Sequence, residues 1–113
     1  MLLNKQQIKE IDDLPMKILE IPEWGGELKI KMMNAKQRME FEKLTEKIKV
    51  PIENIIYMVI YSCVNEDGSL FFSIDDKEFL QSKSADVLCR IFKEAVSLSV
   101  MTDAGIEEKA KNS

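Results

Sequence analysis

The sequence contains no histidine and only two cysteines among its 113 residues. Without histidine, no imidazole is present to act as the general base for a serine nucleophile. Cys63 and Cys89 cannot complete a four-ligand zinc site, and their spacing is not that of a redox motif. We therefore expect two buried free thiols in helices, no metal, no cofactor and no catalytic residues, and we predict that the protein is not an enzyme.

Long apolar runs and an excess of basic charge are also missing. No apolar run approaches the roughly 20 residues that a membrane-spanning helix needs. The apolar stretch within residues 1–7 is too short for a signal peptide. The net charge is −4, which disfavours nucleic acid as a partner because phosphate binding depends on clustered Lys and Arg. We expect a cytoplasmic protein that binds neither a membrane nor nucleic acid.

Proline and glycine are scarce too, with three and four copies, and none of them belongs to a linker long enough to separate domains. The sequence predicts a single α+β domain over residues 1–113, with a hairpin region at 15–33 and a helical region at 34–111. Pro15 and Pro22 bracket an extended segment, and the segment 27–32 alternates polar and apolar residues with period two. Gly25 and Gly26 are expected to supply the positive φ angles of the intervening turn.

The helical region is predicted to form a bundle of about four to five helices. Helix starts are expected at six capping or proline positions: Asn4, Asn34, Pro51, Ser73, Ser84 and Thr102. The Asn4 helix, placed at 5–12, precedes the hairpin. The helix after Pro51 has a broad apolar face that extends to Cys63, which predicts a buried central helix ended by the turn at 65–68.

Four local signatures occur in order along the chain: Ile21–Gly26 (IPEWGG), Val64–Phe72 (VNEDGSLFF), Lys83–Phe92 (KSADVLCRIF) and Lys109–Ser113 (KAKNS). None of them carries catalytic chemistry. Together and in this order they resemble the tail assembly chaperones of long-tailed, siphovirus-type bacteriophages or prophages. The resemblance runs from about residue 1 to residue 113.

This resemblance implies a chaperone that binds the long tape measure protein and keeps it soluble during tail morphogenesis, and that is absent from the mature virion. It implies the tape measure protein as the main partner, the tail tube protein as a second one, a homo-oligomer, and action in the host bacterial cytoplasm. The physical logic is that a long helical protein with exposed apolar faces aggregates unless many copies of a small acidic domain cover them.

The partner-binding surface is expected to combine exposed apolar groups with charges. The candidates are Trp24, Phe71 and Phe72, together with the outer face of the last long helix. Trp24 has an alternative role as the core anchor of a hairpin turn, whereas an exposed tryptophan is typical of an interface.

Two other functions compete with the chaperone. The first is a small acidic adaptor or inhibitor that binds a single host protein. The second is a transcriptional regulator with a recognition helix at 84–101, but Arg90 and Lys93 are its only basic residues and Asp86 and Glu94 oppose them.

Overall fold

The computed structural model describes the backbone of residues 1–111 and the side chains of residues 1–98. Five α-helices occur in the described backbone: α1 Lys5–Glu10, α2 Ala35–Thr45, α3 Pro51–Ser62, α4 Lys77–Gln81 and α5 Ala85–Lys111. Three strands, β1 Met16–Ile21, β2 Gly26–Lys31 and β3 Cys63–Val64, form one antiparallel sheet in the order β1-β2-β3. The predicted α+β class, an N-terminal hairpin followed by helices, is confirmed.

The hairpin is formed by β1 and β2, which pair from Met16 opposite Lys31 to Ile21 opposite Gly26. A 3-10 turn at Pro22–Trp24 connects them, and Gly25 closes it with φ +72°. The expectation that both glycines have positive φ is wrong for Gly26. Gly26 is the last rung of the ladder, and pairing with Ile21 requires an extended backbone there.

The capping boxes at the starts of α1 and α2 are confirmed. Asn4 Oδ1 accepts from the Gln7 N–H at 2.9 Å, and Asn34 Oδ1 accepts from the Gln37 N–H at 2.8 Å. Each glutamine returns the bond to the N–H of its cap residue. Helix α1 ends at Glu10, two residues before the predicted end, and the chain then turns where Asp12 accepts from the Leu14 N–H.

The buried helix α3 begins with Pro51 in its first turn, as predicted, but it ends at Ser62. The placement of Cys63 in a helix is therefore wrong. Cys63 and Val64 form β3 instead, opposite Ile30 and Lys29. The apolar pattern of α3 continues into β3 without a break, so only the pairing with β2 marks the change.

Two further expectations about cysteines and helix ends are corrected. Both cysteines are free thiols, but Cys89 is only half-buried whereas Cys63 is buried. The last short helix predicted from Thr102 does not exist separately, because α5 runs unbroken from Ala85 to Lys111. At its start, Ser84 Oγ accepts from the Val87 N–H at 3.4 Å.

The core lies between the inner face of the sheet and the helices α3, α4 and α5. Fully buried side chains come from each of these elements: Ile30, Val59, Cys63, Leu80 and Ile91. Of the apolar stripe predicted on α5, Leu88, Ile91, Ala95 and Leu98 are buried and Phe92 is partly buried. The hairpin is attached to α5 by ion pairs from Lys17 to Glu94 and from Glu23 to Arg90.

Candidate functional site

An open groove of about 480 Å³ lies between the turn end of the hairpin and the segment that leads into and through α4. We call it the hairpin groove. Its lining residues are Ile21, Glu23, Trp24, Gly26, Glu27 and Leu28 from the hairpin, and Phe71, Phe72, Phe79 and Lys83 from the opposite wall. The structure thus brings together Trp24, Phe71 and Phe72, the three side chains that the sequence singles out for partner binding.

These three aromatic residues differ in exposure. Phe71 is 52% exposed, Trp24 is partly exposed and packs against the core, and Phe72 is only 7% exposed. The Phe71 and Phe72 rings meet edge to face, with centroids 4.9 Å apart and planes at 86°. Phe72 therefore supports the wall from the core side, while Phe71 offers the larger free surface. That these residues bind a partner stays a prediction.

Phe79 is not among the partner-binding residues predicted from the sequence, although it lines the same groove and is 50% exposed. Its ring centroid lies 6.4 Å from that of Phe72, and Lys83 Nζ lies 5.4 Å from the Phe79 centroid. Phe79 precedes the buried Leu80 in α4, so the two residues occupy different faces of the helix. The sequence signal for Phe79 is an aromatic side chain that does not share a helix face with the buried Leu80.

Hydrogen bonds from backbone N–H groups hold the groove wall formed by Phe71, Phe72 and Phe79 in place. The Phe71 N–H donates to the Cys63 carbonyl at 3.0 Å, which ties the segment after the turn to β3. Asn65 and Ser69 close that turn with a 2.8 Å backbone bond, and Gly68 adopts φ +90° within it. The Ser73 N–H donates to the Asp76 carboxylate at 2.8 Å, which starts the helical segment that carries Phe79.

Charged residues lie along both sides of the groove. On the hairpin side, Glu23 accepts two hydrogen bonds from the Arg90 guanidinium, at 2.9 and 2.6 Å, and these bonds lower the pKa of Glu23 to about 2. This paired geometry fixes the turn against α5. Glu27 is exposed on the same side, and Lys83 is exposed on the opposite wall.

The described side chains at this site are apolar rings with the ionisable groups of Glu23, Glu27 and Lys83 beside them. Among residues 1–98, no cluster of three or more histidine, cysteine, aspartate or glutamate side chains has the geometry to hold a metal ion. Burial raises the pKa of the Cys63 thiol to about 12, so it stays protonated near neutral pH. No helix in the described part of the chain is long and apolar enough to span a bilayer.

The outer face of α5 was the remaining candidate surface for partner binding. It extends past Leu98, and its side chains at 99–111 lie outside the described residues. Of the candidate surfaces, the hairpin groove is the one whose lining side chains are all described.

Comparison with solved structures finds a similar fold in the tail assembly chaperone of bacteriophage HK97. The TM-score is 0.60 and the sequence identity is 18%, and the similarity covers 82% of this chain and 90% of that chain. No protein-family model matches the sequence, and no curated protein matches it. At the level of the fold, this chain is like a phage tail assembly chaperone.

Proposed function

We propose that this protein is a phage tail assembly chaperone that binds the tape measure protein and keeps it soluble during tail morphogenesis. The observation that carries the proposal is the fold similarity to the HK97 tail assembly chaperone over most of both chains. The four ordered sequence signatures point to the same class.

The hairpin groove is the proposed binding surface. Its exposed rings, Phe71 and Phe79, form an apolar wall, and Glu27 and Lys83 supply opposite charges at its sides. Grooves of this kind accept one face of an amphipathic helix, with the apolar residues inside and the charges setting the orientation. A long helical protein such as the tape measure protein presents many such faces, which many copies of a small domain can cover.

The remaining parts of the proposal follow from the same role. The tail tube protein is a second partner because tube subunits polymerise where the chaperone is displaced. The chaperone acts as a homo-oligomer in the host bacterial cytoplasm and is absent from the mature virion. A net charge of −4 on each small subunit favours the solubility of the covered complex.

The test is co-expression with the long, helix-rich protein encoded just downstream, followed by a solubility assay and a pull-down. We expect the partner to become soluble and to co-purify with many copies of this chain. A partner that is equally insoluble with and without the chain contradicts the proposal. A one-to-one complex with a single host protein would instead favour the adaptor or inhibitor function.

A matched pair of variants locates the surface. Phe71→Ser removes an exposed groove ring, whereas Met39→Ser removes a similarly exposed side chain, 60% against 52%, on α2 outside the groove. We expect Phe71→Ser to weaken binding of the partner by about tenfold or more, as truncation of an interface anchor does, and thereby to lower its soluble fraction. Met39→Ser should leave both unchanged. Equal behaviour of the two variants contradicts the assignment of the groove.

A further inference from the structure

The N-terminal segment of the chain forms an apolar surface that nothing in the described structure covers. We call residues 1–11 the arm; they include α1. Helix α1 buries no residue, and Leu3, Ile8 and Ile11 are 57%, 55% and 54% exposed. Leu3 precedes the cap and Ile8 is the fourth helical residue, which is the spacing of a hydrophobic staple, and Ile11 lies on the same side one turn later.

The sequence of the arm favours a helix, although no residue of that helix is buried against the rest of the chain. Both bonds of the capping box at Asn4 are present, yet a six-residue helix is not stable in water without packing. A well-capped short helix with one apolar face therefore indicates a docking element that needs a groove elsewhere.

The arm does not occupy the groove of its own chain, because none of its residues lines that groove. The arm is held at the opposite end of the hairpin, where Asp12 pairs with Lys31 at 3.2 Å and the Pro15 carbonyl accepts from the Met32 N–H at 2.9 Å. The groove extends along β2 as far as Leu28, which pairs with Leu19, so the stretch from Met16 to Leu19 separates the anchored end from the nearest groove residue by ~10 Å. Ile8 is four residues before Asp12 and mostly within α1, so it extends only ~8 Å from the anchor.

We propose that the arm of one copy docks in the hairpin groove of a second copy. In an ideal helix, Lys5 lies beside the apolar face of α1, while Lys9 and Glu10 lie on opposite sides toward the back of the helix. Glu10 accepts a hydrogen bond from Gln6 Nε2 at 3.0 Å. The groove has Glu27 on its hairpin wall and Lys83 on its α4 wall. With the apolar face of the arm against Phe71 and Phe79, one orientation places Lys5 beside Glu27 on the hairpin side.

This contact is heterologous because the donor arm and the acceptor groove are different surfaces. Repeating it links copies head to tail, as a closed ring or an open chain. A short arm buries little area, so the contact is weak and a longer amphipathic helix can displace it. The inference uses the groove assigned under the proposed function, with the arm as its occupant before the partner arrives, and its test contains no tape measure protein.

Two variants of the full chain test the proposal by complementation. The arm variant carries Ile8→Ser and Ile11→Ser, and the groove variant carries Phe71→Ser and Phe79→Ser. All four side chains are at least half exposed, so none of them belongs to the buried core. Met39→Ser, outside both surfaces, is the control for the loss of an exposed apolar side chain.

Sedimentation velocity from micromolar to millimolar concentration is the measurement. We expect the natural chain and the control to self-associate, and each variant to lose about tenfold or more in its association constant. An equimolar mixture should give one-to-one dimers and nothing larger, because it contains one intact arm and one intact groove per pair. A monomeric natural chain, or variants that self-associate as the natural chain does, overturns the proposal, as does a mixture that stays monomeric.

Trp24 provides a second readout because it is the only tryptophan and lines the groove. A peptide of residues 1–14 is titrated into the arm variant while tryptophan emission is recorded. We expect a saturable change, and none with a peptide that carries serine at positions 8 and 11. Identical responses to the two peptides, or no response to either, count against the arm as the occupant.

Discussion

Three of the helices form two groups that start in different ways. Helices α1 and α2 each begin with a complete asparagine–glutamine capping box, and neither buries a single residue. Helix α3 has no side-chain cap at all, yet Ile56, Tyr57, Val59, Ile60, Tyr61 and Ser62 are buried in it. Helices α1 and α2 have strong local caps and little burial, although Phe41 of α2 packs partly against the core. Helix α3 depends on packing, which is the main source of helix stability in proteins.

The difference predicts unequal responses to the same substitution. Ile60 of α3 is 1% exposed and Ile8 of α1 is 55% exposed. Ile60→Ala should lower the free energy of unfolding by about 2–5 kcal/mol, through lost burial and a residual cavity. Ile8→Ala should change it by less than about 0.5 kcal/mol. Urea unfolding at neutral pH measures both, and similar losses in the two variants would remove the distinction between the groups.

Loss of a cap should have a middle-sized effect in α2. Asn34→Ala removes the acceptor of the Gln37 N–H and should cost about 1 kcal/mol in the free energy of unfolding. Asn34→Asp is the matched variant that keeps an acceptor oxygen and should retain most of the stability. If alanine and aspartate behave alike in urea unfolding, the cap does not stabilise α2.

The ion pair between the hairpin turn and α5 should have a smaller effect that depends on pH. The pKa of Glu23 falls from 4.5 to about 2 because Arg90 hydrogen-bonds its carboxylate. A lowered pKa in the folded state stabilises the fold above the pKa of the unfolded state, and that contribution is lost as the pH falls toward 2. Glu23→Gln should therefore be less stable than the natural chain at pH 7, and the gap should close between pH 4.5 and about 2.

Arg90→Gln removes the other partner and serves as the cross-check. The stability of Arg90→Gln should change less between pH 7 and pH 2 than that of the natural chain, as expected for Glu23→Gln. The variant with both substitutions should have the same free energy of unfolding as either single variant. Urea unfolding at pH 7 and at pH 3 is sufficient. A gap of constant size at both pH values would mean that the substitution acts through packing and not through the ion pair.

The smallest global effect is expected for the cap of α1. Asn4→Ala should leave the free energy of unfolding unchanged, because α1 buries nothing and opens independently of the core. It should speed amide hydrogen exchange at the hydrogen-bonded amides of α1 only. A global loss comparable to that of Asn34→Ala would show that α1 is coupled to the rest of the domain.

Much of the local structure was predictable from short stretches of sequence. The two capping boxes, the proline start of α3 and the alternating strand β2 each depend on residues within one or two turns of each other. Strand β3 was not predictable in this way. Cys63 and Val64 extend the apolar pattern of α3, and they become a strand because Ile30 and Lys29 pair with them across the sheet.

The candidate site was predictable in part for the same reason. Trp24, Phe71 and Phe72 stand out because aromatic residues beside turns and glycines are poorly explained by a helical core pattern. Phe79 was missed because its relation to Phe72, 6.4 Å between ring centroids, depends on how α4 packs. The pairing of Glu23 with Arg90, 67 positions apart, has no local signature either.

Helix starts, turn residues, the fold class and the set of aromatic candidates can therefore be read from the chain itself, because hydrogen bonds between near neighbours and the period of apolar residues are local properties. The third strand, the unbroken length of α5 and the groove with opposite charges on its two walls exist only in the folded molecule. Each of these depends on contacts between distant segments, and burial of the shared core decides which of those contacts form.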